Sequence, residues 1–323
     1  MGTKDTLPTL LDDIAKENRS PKQDAMKNGS SFFPRLVFAL RDNLAKLGVT
    51  SESHPDLPCH LESMACMIHE SMGGTARNYH SVQHVFDLAE PFKASDPIAV
   101  ISAFFHDIVY YHVDGGLSDI QTEILQGVVT FRQDQETGVQ VPIFQAGTTQ
   151  HNNDDLIRMA EMIFGYTADQ EVTLKTGLNE FLSAIIALQQ LQPLLPLSVL
   201  VQIACCIEAT IPFRAQKNMC ENLFERLEQV NQSYDLGLTE AECIRAIQRA
   251  AQLANVDVEN FGTDDLFWFL DNGTSTLKNH VRHDCLLSRT KGKGHYSSSR
   301  LARQSHHLPL FSPCNSLESA SRI

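Results

Sequence analysis

An all-α fold is predicted by three features of the 323-residue sequence. Apolar residues recur at helical spacing in segment after segment, strand signals are weak, and no internal repeat divides the chain. Phe33–Leu47 carries the first helical pattern and stops at Gly48. Further helices are expected near 57–72, 80–93, 97–111, 117–132, 153–164, 177–191, 197–209, 218–231 and 239–254. In the last of these, Thr239 and Glu242 form a Thr-x-x-Glu capping box. Only Val139–Phe144 alternates as a strand would, and it is short and flanked by Gly138 and Gly147. The expected organisation is an N-terminal extension (1–50) with one amphipathic helix, a helical domain (51–272) and a tail (273–323).

With 42% apolar residues the chain can build a substantial core, so disorder of the whole is excluded. The formal charge of −13 argues against nucleic acid as the main partner, because that binding rests on Lys and Arg neutralising phosphates. The charge is uneven. From Gly273 onward eight Lys/Arg face two Asp/Glu, which makes the tail +6 and leaves −19 for the rest. The tail also holds ten Ser and five His without apolar periodicity, and is expected to be disordered. Its abrupt start after Phe267–Asn272 suits either an altered reading frame or a basic interaction tail.

The longest apolar stretch, Leu194–Ile207, is broken by Pro196 and Gln202 and is too short to span a bilayer, so no membrane partner is expected. The first residues lack a secretory layout, although Gly2 with Thr6 fits the short myristoylation pattern. The eight Cys form no C-x-x-C pair, and several sit in apolar helical runs, as reduced core thiols do. A cytoplasmic protein is expected.

Chemistry concentrates in two segments. In Arg77-Asn78-Tyr79-His80-Ser81-Val82-Gln83-His84, the two His stand four apart, so one helix would place them one turn from each other. Both could touch one metal, or one could bind while the other serves as acid or base; ordinary hydrogen-bonded His are the alternative. In Ile101–His112, an adjacent His106 and Asp107 close an apolar helical run. A carboxylate there needs a partner, either a divalent cation or an Arg such as Arg77.

Taken together, Arg77-x-Tyr79-His80-x-x-x-His84 followed by Phe105-His106-Asp107-Ile108-Val109-Tyr110 resembles the HD superfamily of metal-dependent phosphohydrolases. It is most similar to small predicted HD phosphohydrolases, in which a Tyr-His-x-x-x-His helix precedes a Phe-His-Asp-x-x-Tyr helix. The first motif is also similar to that of cyclic nucleotide phosphodiesterases, but no Pro-Gly follows the His-Asp helix here. A third family motif, Asn-Glu-x-x-Ser-Ala, is present as Asn179–Ala184, displaced by about 70 residues from its usual place. Residues 113–176 therefore read as a largely helical insertion, a lid or a partner surface. The resemblance covers roughly 75–260 and rests on three short motifs.

The resemblance implies an HD-domain-like helical bundle and hydrolysis of a phosphate ester or nucleotide-like small molecule. It implies a divalent cation on His84, His106, Asp107 and a distant Asp, for which Asp257 in Leu253-Ala254-Asn255-Val256-Asp257 is the match. His80 would be the general acid, as in the phosphodiesterases, and Glu180 would orient water or bind a second metal. The residues themselves offer rivals: Glu208 as the last ligand, with Arg214 as its partner or as a phosphate clamp, and His151 in a second metal site. Arg77 is the other candidate for substrate binding. Imidazole and carboxylate donors favour Mn, Fe, Co, Ni or Zn over Ca and leave Mg open. An HD-type di-iron oxygenase, which would need extra His such as His112 or His151, and a non-catalytic scaffold are the competing classes. A homo-oligomer is left open.

Overall fold

The computed structural model describes residues 32–74, 77, 80–133, 138, 140–147, 154–211 and 218–259. Arg214, His151, Tyr79 and the 273–323 tail lie outside the described residues, as does most of the N-terminal extension. Among the described residues the fold is mostly helical, with one small sheet. In chain order the helices are α1 (Phe32–Lys46), α2 (Leu57–Met72), α3 (Val82–Ala89), α4 (Pro97–Phe105), α5 (Tyr111–Asp114) and α6 (Asp119–Ile124). They continue as α7 (Asp154–Phe164), α8 (Leu178–Leu191), α9 (Leu197–Ala209), α10 (Met219–Ser233) and α11 (Glu240–Glu259).

At the centre lies α9, which packs against α4, α7, α8, α10 and α11. Its sequence, with Leu200, Val201, Ile203, Ala204, Cys205 and Cys206 all buried, is apolar around much of the cylinder, as an enclosed helix must be. The thiols of Cys205 and Cys206 are pushed up by burial, Cys206 to about 11. The amphipathic helix of the N-terminal extension is α1, whose Leu36, Leu40 and Leu44 enter the same core, against α2 and α4. Among the described residues no helix is long and apolar enough to cross a membrane.

Three expected helices are cut short. The one at 80–93 starts only at Val82, after an extended Ser81 at its N-cap, and gives way to a 3-10 turn at Pro91. The one at 97–111 ends at Phe105. The one at 117–132 ends at Ile124, and Thr130–Gln133 is strand β1 instead. It pairs antiparallel with β2 (Gln140–Gln145), which pairs with β3 (Glu171–Val172). Among its described residues the insertion is therefore mixed α and β rather than largely helical. Its sheet is anchored by Phe144, whose ring lies 4.6 Å from that of Phe181 on α8.

The N-terminus of α4 is tied to the middle of α11. Asp96 caps α4 by accepting from the Ala99 amide, and its other oxygen takes Arg249 Nε of α11 at 2.6 Å. Arg249 also donates to Gln202 of α9 at 2.8 Å. Asp96→Ala loses both cap and ion pair, and is expected to lower stability by about 1–2 kcal/mol. Asp96→Asn keeps an acceptor for the cap and should lose less than about 1 kcal/mol. Urea unfolding of the two variants beside the wild type checks the order.

Candidate metal centre

His84 lies on the buried face of α3 with Val85 and Leu88, and α3 meets the end of α4 and the last turns of α11. His106 caps the C-terminus of α4, and Asp107 follows in the turn. The helix expected to stop at 254 runs on to Glu259, so Asp257 lies on α11 rather than beyond it. The 173-position separation of His84 and Asp257 is closed to 3.1 Å between Nε2 and Oδ1.

One ligand atom from each of His84, His106 and Asp107 falls within 4.8 Å of the others, a group able to hold a metal ion. Asp257 Oδ1 also lies 3.5 Å from His106 Nε2, and Asp107 Oδ2 lies 3.2 Å from the same nitrogen. His106 is 1% exposed. Its Nδ1 stands 2.9 Å from the Ala103 carbonyl, which can only accept, so Nδ1 carries the ring proton. Nε2 is then a buried atom without a hydrogen bond, turned toward two carboxylates. Such an arrangement is costly unless a cation, a proton or a metal, sits among the donors.

The charges agree with this. Burial alone would push both carboxyls up. The imidazoles of His106 and His80 at Asp107, and of His106 and His84 at Asp257, outweigh burial and hold both below the usual carboxylate range. Burial alone would keep His106 neutral, but Asp107 and Asp257 together raise it well above an ordinary His.

His80 stands in the entry turn to α3 rather than on the helix, so the two His are not stacked on one helical face. Its ring nevertheless lies 5.5 Å from that of His84 and 5.0 Å, edge to face, from Tyr110. Nε2 is 3.2 Å from Asp107 Oδ2. Burial lowers its pKa and Asp107 opposes this only in part. Glu180, in the first turn of α8, is half-buried and close enough to Tyr110 that its charge, added to burial and to that of Asp107, raises the phenol.

The remaining candidates lie elsewhere. The Arg77 guanidinium is fully buried: Nε and Nη2 grip Asp114 at 2.7 and 2.5 Å, and Nη1 donates to the Asp107 carbonyl at 2.7 Å. It thus meets Asp107 through the backbone and not through the carboxylate, and has no exposed edge to offer a substrate. Glu208 is buried in an ion pair with Arg226 of α10 at 2.7 Å, and is not among the ligand atoms that converge. The partners Asp114 and Arg226 carry no motif, and sequence gives no signal of a contact 37 residues away. No family model, curated protein or solved structure matches the chain.

Arg77→Gln strips Asp114 of its partner and two buried carbonyls of a donor, so a stability loss of about 3 kcal/mol is expected. A residue that touched only substrate would leave the unfolding midpoint where it was, and urea unfolding distinguishes the two.

Proposed function

We propose that the chain is a metal-dependent phosphohydrolase of the HD type, acting on a phosphate ester or nucleotide-like small molecule. The observation that carries this reading is Nε2 of His106, buried against Asp107 and Asp257 with His84 Nε2 beside them. Two imidazoles and two carboxylates are the donor set of Mn, Fe, Co, Ni or Zn, with Mg admitted through the carboxylates. A divalent cation held by His84, His106, Asp107 and Asp257 would supply Lewis acidity, acidifying a water and polarising a phosphoryl group.

The protein's own groups divide the remaining work. His80 borders the ligand group from outside, its side chain 14% exposed, and is the acid that hands a proton to the leaving oxygen. The Asp107 carboxylate accepts from Nε2 and favours the protonated ring against burial, so the proton to be handed on would be the one on Nδ1, and Tyr110 packs across the ring to hold its plane. Glu180 adds a carboxylate on the Tyr110 side, suited to orient water. His112 packs its ring beside Tyr111.

Two measurements test the reading. Wild-type protein reconstituted with Mn(II) or Co(II) is expected to hold at least one equivalent by mass spectrometry, and Asp257→Ala to lose it. His80→Ala should keep the metal yet lose about 10²–10⁴ in kcat on phosphate esters with poor leaving groups, and less on activated esters. Failure of the wild type to retain Mn, Co, Ni or Fe(II) would overturn the proposal in favour of a helical binding protein.

A further inference from the structure

The backbone between α4 and α5 leaves the helix at His106, although Ile108-Val109-Tyr110-Tyr111 is as apolar as the helix before it. Ile108 and Val109 are buried, so their polar groups must find partners. The Ile108 amide closes a turn on the Phe105 carbonyl at 3.3 Å, and the other partners are side chains from distant elements. The Asp107 carbonyl accepts from Arg77 Nη1 at 2.7 Å. The Ile108 carbonyl accepts from Gln121 Nε2 of α6 at 2.6 Å. The Val109 amide donates to Ser183 Oγ at 3.0 Å, and the Tyr111 amide to Asn179 Oδ1 at 3.2 Å. Asn179 and Ser183 are four apart on α8, so one helix face presents both acceptors one turn from each other.

Had α4 continued, the Val109 amide would bond to the Phe105 carbonyl and the Tyr111 amide to that of Asp107. Asn179 and Ser183 take both amides instead, and side-chain acceptors of this kind compete with the helical ladder. We propose that Asn179 and Ser183 are positioning residues: they stop α4 at His106 and so set the Asp107 carboxylate against His106 and His80. The inference rests on the metal-centre reading above, and gives the Asn179-Glu180-x-x-Ser183 motif a role that none of its side chains needs to play by touching the metal.

The test uses the full chain and Co(II) alone as probe, titrated by its visible absorption, with urea unfolding of the metal-free protein in parallel. Ser183→Ala is compared with Ser102→Ala. Both remove a fully buried hydroxyl, but Ser102 bonds to the Ile98 carbonyl within α4 and to the Cys206 thiol of α9, and leaves 107–111 alone. Ser183→Ala is expected to weaken Co(II) binding about tenfold or more and to change its spectrum, as loss of a group that orients a ligand does. Ser102→Ala should bind as the wild type does. Asn179→Ala should weaken binding likewise, and Asn179→Asp, which keeps the acceptor, should restore it. Equal weakening by Ser183→Ala and Ser102→Ala, or none by either, overturns the inference while leaving the metal centre intact. A wild type that binds no Co(II) removes the metal-centre reading itself, and the inference with it.

Discussion

With its Nδ1 proton committed to the Ala103 carbonyl, the buried His106 ring turns Nε2 to whatever lies opposite, and what lies opposite is Asp107 and Asp257. That constraint orders the rest of the bundle. It demands that α11 end beside α4, with α3 bringing His84 to the same point. The Asp96–Arg249 pair meets the demand from the other end. From Asp96 to His106 along α4, and from Arg249 to Asp257 along α11, the rise is about 12–15 Å in both cases. Over this stretch the two helices therefore run side by side in matched register, the Asp96–Arg249 pair at one end and the His106–Asp257 contact at the other. Behind them α9 packs against both and carries Gln202 into the Arg249 contact.

Much of this arrangement is legible in the sequence because it is local. The helices at 57–72 and 197–209 appear with the bounds their periodicity predicts, since an amphipathic or wholly apolar stripe needs only neighbours three and four residues away. His84, His106 and Asp107 can be singled out for the same reason: an apolar run that ends in two ligand-capable residues is locally anomalous. Asp257 could be reached only through resemblance to a family, since no local pattern distinguishes it from any carboxylate near a helix end.

What is not legible is decided at long range. Residues 97–111 read as one helix because the apolar pattern runs through Tyr111. The helix nevertheless stops at Phe105, where Arg77, Gln121, Asn179 and Ser183 claim the backbone that would have continued it. Strand β1 was hidden for a related reason. Four exposed residues, Phe131 among them, have no alternation to betray them until β2 pairs alongside. Arg77 is the sharpest case. A guanidinium beside a His motif suits a phosphate, yet burial and the bidentate grip of Asp114 make it part of the frame.

The frame also changes how residues 113–176 should be understood. A lid or a partner surface could be removed or displaced without touching His84, His106, Asp107 and Asp257. Here the first turns of the insertion supply Asp114, which neutralises Arg77, and Gln121, which holds the Ile108 carbonyl. Further along, Phe144 packs its sheet against Phe181 on α8, the helix that bears Asn179 and Ser183. The insertion therefore braces the turn that carries Asp107 from both sides. With Arg77 so occupied, the charge of a phosphorylated substrate in the proposed reaction would fall to the cation among His84, His106, Asp107 and Asp257. On this reading binding and chemistry are not separable at this site, because the group that attracts the phosphate is the one that activates it.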